Sequence, residues 1–166
     1  MTIRKIQTGN AAILRQKSKS VEQVDANLLQ LIDDMFETMK SADGIGLAAP
    51  QIAVGQRVIV VDIESYCPEC PPIALINPVV TKSRGEELDE EGCLSLPGVR
   101  GSVRRASCVT IEAILTSEER VTLSAKDLMA RVLQHEIDHL DGILFTDRLK
   151  PEDQELLVET PAREAD

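Results

Sequence analysis

The feature that most constrains this fold is the segment LQHEIDHLDG, which contains both histidines of the chain. His135 and His139 are four residues apart, and residues at this spacing are neighbours on one face of an α-helix. Leu128 and Val132 continue that face toward the N-terminus, so the imidazoles extend an apolar stripe. We therefore predict a buried helix, Asp127–Leu140, with this stripe turned into the protein.

The two imidazoles and the glutamate between them form the pattern His-Glu-x-x-His, which is typical of metal-dependent hydrolases. Both rings can reach one ion, and Glu136 lies one step around the helix, where its carboxylate can reach a metal-bound water. The alternative is a pair of core histidines, which would need hydrogen-bond partners of their own. The segment contains no third ligand, and the chain beyond it offers no histidine but four glutamates: Glu152, Glu155, Glu159 and Glu164.

Local signals mark the two ends of this predicted helix. Ser124 is expected to cap its N-terminus, with Asp127 completing a capping-box pattern three residues later. Gly142 follows the last apolar residue and is suited to the left-handed conformation that ends many helices.

The rest of the chain predicts one more helix and several strands. A second amphipathic pattern covers residues 25–40, and apolar segments bounded by polar or Pro-containing turns predict strands at 57–63, 73–78, 108–115 and 120–125. The strands are grouped between the two helices and do not alternate with them. This order favours an α+β fold, with mainly antiparallel sheets packed around the buried metal-binding helix.

Length and composition limit the classes of protein that fit. A chain of 166 residues with 43% hydrophobic residues is most simply one globular domain. The formal charge of −10 argues against direct binding to nucleic acid or an anionic membrane. No apolar run approaches the length of a membrane span, and the first residues contain no signal-peptide core. We expect a cytoplasmic protein, or the mature form of an organellar one.

Two further segments, GIGLAAPQ at 44–51 and DEEGCLSLPG at 89–98, do not match the pattern of a helix or a strand. The first indicates either a buried turn or a backbone that a ligand approaches closely. In the second, Cys93 is either a half-buried thiol or a third metal ligand, which would leave one position for water. Cys67 and Cys70, in the sequence CPEC, lack a partner motif and are expected to be incidental thiols of a loop.

Taken together, the segments GIGLAAPQ, EGCLS and HEIDH resemble the three motifs of the peptide deformylase family. Those motifs read Gly-apolar-Gly-apolar-Ala-Ala-x-Gln, Glu-Gly-Cys-apolar-Ser and His-Glu-apolar-Asp-His, and every fixed position is matched. The resemblance covers the chain from about Ile6 to Leu149 and is closest to the compact bacterial-type form. It implies a catalytic domain over residues 1–149, followed by a short acidic tail over residues 150–166.

The resemblance implies a hydrolase that removes the formyl group from formyl-methionyl nascent polypeptides and releases formate. Carried over position by position, Cys93, His135 and His139 become the ligands of one divalent metal ion. Fe²⁺ is the expected ion, with Zn²⁺, Ni²⁺ or Co²⁺ also able to occupy the site. Glu136 corresponds to the general base and acid of the family.

The resemblance also implies residues that bind the substrate. Gln51 and the backbone N–H of Leu94 correspond to the donors that stabilise the oxyanion, and Gly46 to a position that hydrogen-bonds the substrate backbone. Ile45, Leu94 and Leu128 are expected to line the methionine pocket.

Glu91 is expected to orient the site by pairing with Arg104 or Arg105. The resemblance makes the ribosome a possible partner. The short acidic tail differs from the longer basic helix with which some relatives dock there, which argues against that mode of recruitment. A zincin-type peptidase would take its third ligand from downstream of the histidines. A non-catalytic metal-binding module would not need an oxyanion donor such as Gln51.

Overall fold

The fold is that of a computed structural model, which describes residues 2–152 and the backbone of residues 158–159. These residues contain two α-helices, eight strands and three short 3₁₀ turns, at Ala12–Arg15, Ala49–Ile52 and Phe145–Arg148. In chain order the elements are α1 (Ala26–Ser41), β1 (Gly46–Ala48), β2 (Val58–Val61), β3 (Ile73–Arg84), β4 (Glu87–Cys93), β5 (Leu96–Arg105), β6 (Cys108–Ile114), β7 (Arg120–Lys126), α2 (Asp127–Leu140) and β8 (Val158–Glu159).

The strands form two sheets in which every neighbouring pair is antiparallel. The larger sheet has the order β1-β2-β3-β6-β7, and the smaller has the order β4-β5-β8. The α+β class with antiparallel sheets is therefore confirmed. In the larger sheet β1 is an edge strand, which leaves one side of its backbone directed away from β2.

Helix α1 forms where the sequence predicts it, because an N-terminal cap and a continuous apolar face both favour a helix at this place. The Asp25 side chain accepts a hydrogen bond from the Leu28 backbone N–H at 2.8 Å, which satisfies one of the free donors of the first turn. The buried face of the helix packs against β1 and β2 in an apolar cluster that includes Leu28, Leu31, Ile32, Met35 and Met39.

Helix α2 has the predicted bounds, but it begins differently from the prediction. Ser124 does not cap it, because β7 runs through Ser124 to Lys126 and leads directly into the helix. Asp127, with φ of +52°, makes the abrupt change of direction between the two elements. The predicted stop is confirmed: Gly142 has φ of +73°, and a Cβ there would lie 2.6 Å from the Arg15 carbonyl oxygen.

The predicted buried stripe of α2 is confirmed for three of its four residues. Val132, His135 and His139 are buried, whereas Leu128 is half-buried and borders a cavity. Other apolar residues of the helix pack on the larger sheet in the main core of the protein, among them Ala130, Leu133, Ile137 and Leu140.

The two segments that showed no regular pattern nevertheless form strands. GIGLAAPQ contains β1 and the 3₁₀ turn Ala49–Ile52, and both are buried. DEEGCLSLPG forms the tip of a hairpin made by β4 and β5, called here the cysteine hairpin because it carries Cys93. A fully buried strand and a mostly exposed one both lack the alternation by which half-buried strands are recognised.

The expectation for Cys67 and Cys70 is wrong, since the two residues form a disulfide. A turn brings them together: the Cys70 backbone N–H donates to the Cys67 carbonyl at 2.8 Å, and their Cα atoms are 5.3 Å apart. Both are half-buried against the main core.

Candidate active site

Cys93, His135 and His139 meet at one point between the cysteine hairpin and α2. Their ligand atoms all lie within 4.8 Å of one another, and Cys93 Sγ is 3.3 Å from His139 Nε2. Among the residues that the structure describes, these three form the one group that could hold a metal ion. The donor set fits such an ion, because a thiolate and two imidazoles suit Fe²⁺, Zn²⁺ and similar transition metals.

The downstream glutamates do not provide the third ligand within the described residues. Glu152 is exposed and does not belong to the group of possible metal ligands. The side chains of Glu155, Glu159 and Glu164 lie outside the described residues.

Glu91 fixes the orientation of His135. The Nδ1 atom of His135 donates to Glu91 Oε2 at 2.8 Å, which leaves Nε2 as the ring nitrogen available to a metal ion. Burial lowers the pKa of His135, but hydrogen bonds to Cys93 and Glu91 outweigh it and raise the pKa to about 10, so a metal ion that binds Nε2 must displace a proton. Burial raises the pKa of Glu91, but hydrogen bonds to His135 and Arg105 lower it to about 2. Glu91 is therefore an ionised carboxylate that holds the imidazole of a candidate metal ligand in place.

The partner of Glu91 is Arg105 and not Arg104. Arg105 donates from Nε and Nη2 to the two carboxylate oxygens at 2.9 and 3.0 Å, the bidentate geometry of a strong ion pair. The Nη1 atom of Arg104 instead lies 3.6 Å from Glu86 Oε1. The sequence had left these two arginines undecided.

Glu136 lies beneath the backbone of β1. A Cβ atom at Gly46 would be 2.4 Å from Glu136 Oε1, so the glycine leaves the space that this carboxylate fills. Burial raises the pKa of Glu136 to about 7, and its Oε2 atom has no hydrogen-bond partner among the described residues. A buried carboxyl group whose pKa is close to neutral pH, and which has one oxygen without a hydrogen bond, is suited to accept and return a proton.

Gln51 is buried and its amide has a defined orientation. Its Oε1 atom accepts the Ala48 N–H at 2.8 Å, so its NH₂ group points the other way, 3.6 Å from Cys93 Sγ and 3.2 Å from Ser95 Oγ. Sequence reasoning assigned no role to Ser95, although it closes the EGCLS motif. Its complete burial beside Gln51 places it next to the candidate donor.

A cavity of about 750 Å³ opens at this group. Its lining includes the three residues expected to form the methionine pocket, Ile45, Leu94 and Leu128, together with Gly46 and Glu136. A volume of this size is typical of pockets that bind small molecules and short peptide segments.

The comparisons with known proteins agree on one family. The sequence profile of the family described as polypeptide deformylase matches residues 3–155. A peptide deformylase of Acetivibrio thermocellus is 48% identical over 149 residues, covering 90% of this chain and 85% of that protein. One of Natranaerobius thermophilus is 49% identical over 149 residues, covering 89% of this chain and 93% of that protein.

The fold is likewise similar to solved structures. The peptide deformylase of Legionella pneumophila superimposes with a TM-score of 0.85 at 44% identity, over 91% of this chain and 88% of that one. That of Thermotoga maritima superimposes with a TM-score of 0.85 at 37% identity, over 91% of this chain and 100% of that one.

Proposed function

The chain belongs to the peptide deformylase family, whose members remove the N-terminal formyl group from nascent polypeptides, and we propose that Cys93, His135 and His139 hold the metal ion on which this hydrolysis depends. The observation that best supports the ligand set is the convergence of their side chains, with Cys93 Sγ 3.3 Å from His139 Nε2. The enzyme is a hydrolase that releases formate and leaves a free amino terminus.

We propose Fe²⁺ as the ion used in the cell, with Zn²⁺, Ni²⁺ or Co²⁺ able to replace it. A thiolate donor with two imidazoles is compatible with each of these ions, and geometry and availability decide which is bound. When bound, the ion would supply Lewis-acid chemistry, which makes a water molecule acidic enough to act as a nucleophile near neutral pH.

Glu136 is proposed as the residue that moves the proton. Its carboxylate takes a proton from the attacking water and returns it to the amine as the C–N bond of the formamide breaks. Burial against Gly46 supports this role, because it raises the pKa of Glu136 to about 7 and keeps bulk water away from the carboxylate.

Two donors are proposed for the oxygen of the formyl group, which becomes negatively charged during the attack. They are the side-chain amide of Gln51 and the backbone N–H of Leu94. The hydrogen bond from the Ala48 N–H to Gln51 Oε1 supports the first assignment, since it holds the NH₂ group toward Cys93 without further reorganisation.

The substrate is proposed to lie along β1. Gly46 pairs with Val61 on one side, and because β1 is an edge strand, its other side can hydrogen-bond an extended peptide. Ile45, Leu94 and Leu128 would then surround the side chain of the formyl-methionine.

Residues 1–149 are proposed as the catalytic domain and residues 150–166 as a short acidic tail. The family match extends a few residues into that tail, to residue 155. No helix in the described part of the chain is long and apolar enough to cross a membrane. We propose that the enzyme acts in the cytoplasm on nascent chains.

Formate release from a formyl-methionyl tripeptide, assayed anaerobically with Fe²⁺, tests this function. We expect one formate and one free methionine terminus per turnover, and no reaction with the acetylated tripeptide as the matched control. A protein loaded with Fe²⁺ that releases no formate would contradict the proposal.

A further inference from the structure

A buried arginine of α2 is bonded to both strands of the cysteine hairpin. The side chain of Arg131 is 7% exposed. Its Nη1 donates to Glu91 Oε1 at 2.8 Å, to the Val103 carbonyl at 2.9 Å and to the Asp89 carbonyl at 3.5 Å, and its Nη2 donates to the Glu87 carbonyl at 2.9 Å. One side chain of the helix therefore has contacts along most of β4 and near the C-terminal end of β5.

These contacts join the two parts of the candidate metal site. Cys93 belongs to the smaller sheet, whereas His135 and His139 belong to the helix that packs on the larger sheet. The buried apolar cluster on the hairpin side is small, with Val103, Phe145 and Leu149 as its buried members. The position of the hairpin relative to the helix thus depends strongly on polar contacts.

Arg131 also shares its carboxylate partner with a proposed metal ligand. It lies one helical turn before His135, and both residues bond Glu91: Arg131 through Oε1 and His135 through Oε2. Arg105 neutralises the same carboxylate from β5. A shift of Arg131 would therefore change both the carboxylate that orients His135 and the strand that carries Cys93.

We infer that Arg131 is a positioning residue, which fixes the cysteine hairpin against α2, called here the histidine helix because it carries His135 and His139, and so sets the geometry of the metal site. The inference depends on the proposed ligand set of Cys93, His135 and His139. This positioning role requires arginine, because a planar guanidinium can donate to several acceptors at once, whereas the single ammonium of lysine cannot span them.

Optical titration with Co²⁺ tests the inference without an activity measurement. Bound cobalt reports a thiolate ligand through a sulfur-to-metal charge-transfer band, so the spectrum follows Cys93 and the titration gives the affinity. For Arg131→Met we expect a weaker charge-transfer band and an affinity lower by about 10–100-fold, the usual result of losing a residue that supports a metal ligand. Arg131→Lys keeps the charge and should lie between Met and wild type.

Arg104→Met is the matched control. It also removes one positive charge, but from β5 and at a residue whose side chain is 31% exposed. Its band and affinity should equal those of the wild type. An Arg131→Met protein that also equals the wild type would overturn the inference. If circular dichroism shows that Arg131→Met does not fold, the test uses Arg131→Lys. A weaker band and a lower affinity in that variant would support the inference, and wild-type values would overturn it. A wild type that gives no thiolate band would instead contradict the proposed ligand set.

Discussion

The histidine helix and the cysteine hairpin contribute to one site, but they are held in place by different forces. Apolar side chains bury α2 in the main core, with Leu140 fully buried and Leu133 nearly so. In β4, by contrast, Glu91 is the one buried residue, and Cys93 is half-buried at its end. The helix is fixed by the hydrophobic effect, and the hairpin is fixed largely by ion pairs and hydrogen bonds of Glu91, Arg105 and Arg131.

This difference separates stability from geometry. Apolar burial contributes most of the folding free energy but tolerates small displacements, whereas charge-assisted hydrogen bonds depend closely on distance and angle. Changes in the helix core should therefore affect stability first, and changes near the hairpin should affect the metal site first.

The largest effect should come from removing Cys93, the metal ligand proposed on the hairpin. Cys93→Ser replaces a thiolate with a hydroxyl, which is a poor ligand for these ions, so metal binding should weaken and deformylation should nearly cease. Metal content and formate release measure the two effects. Cys67→Ser and Cys70→Ser are the controls and should be close to neutral in activity. A metallated and active Cys93→Ser enzyme would show that the hairpin contributes no ligand.

The next largest effect should come from Glu136, the helix residue proposed to move the proton. Glu136→Gln keeps the shape of the side chain but removes its base, so kcat should fall by about 10²–10⁴-fold. Metal content should stay near that of the wild type, because the residue is not proposed as a ligand. Loss of the metal from this variant would mean that Glu136 had been assigned the wrong role.

A smaller loss should follow from filling the space above that carboxylate. Gly46→Ala would place a Cβ atom 2.4 Å from Glu136 Oε1, so the carboxylate or the strand must move. Such a misplacement should lower kcat/KM by about 10–100-fold. Gly55→Ala is the matched control, since a Cβ there meets no atom within 4 Å, and its activity should be unchanged. Equal activities would show that the contact does not constrain catalysis.

The smallest effect on activity, with the clearest effect on stability, should come from the core of the helix. Leu140→Ala removes a fully buried side chain and should lower the free energy of unfolding by about 2–5 kcal/mol. Leu88→Ala, in β4, alters a residue that is 43% exposed, and it should change the free energy of unfolding by no more than about 0.5 kcal/mol. Urea unfolding measures both, and similar values would contradict the contrast between helix and hairpin.

The same contrast explains which parts of the structure could be predicted from the sequence. The helix has the predicted bounds because a 3.6-residue apolar period is a local signal that burial reinforces. The hairpin had no such signal, since its strand ELDEEGC is mostly exposed and its one buried residue is a glutamate. Ser124 was assigned to the helix because its spacing from Asp127 imitates a capping box, although it lies in β7.

The candidate site follows a similar division. The motifs named the residues that the structure brings together, but not the contacts that hold them. Whether Glu91 bonds Arg104 or Arg105, and that Arg131 bonds it too, depends on how β5 and α2 approach β4. The need for glycine at position 46 likewise depends on Glu136, which is distant in the sequence.

X-ray absorption spectroscopy at the zinc edge of the Zn²⁺-loaded enzyme tests the central claim most directly, because it counts the ligands contributed by the hairpin and by the helix. The account predicts one sulfur at about 2.3 Å, from Cys93, and two imidazole nitrogens at about 2.0–2.1 Å, from His135 and His139. The sulfur shell should disappear in Cys93→Ser. A wild-type spectrum with nitrogen and oxygen ligands alone would contradict the account.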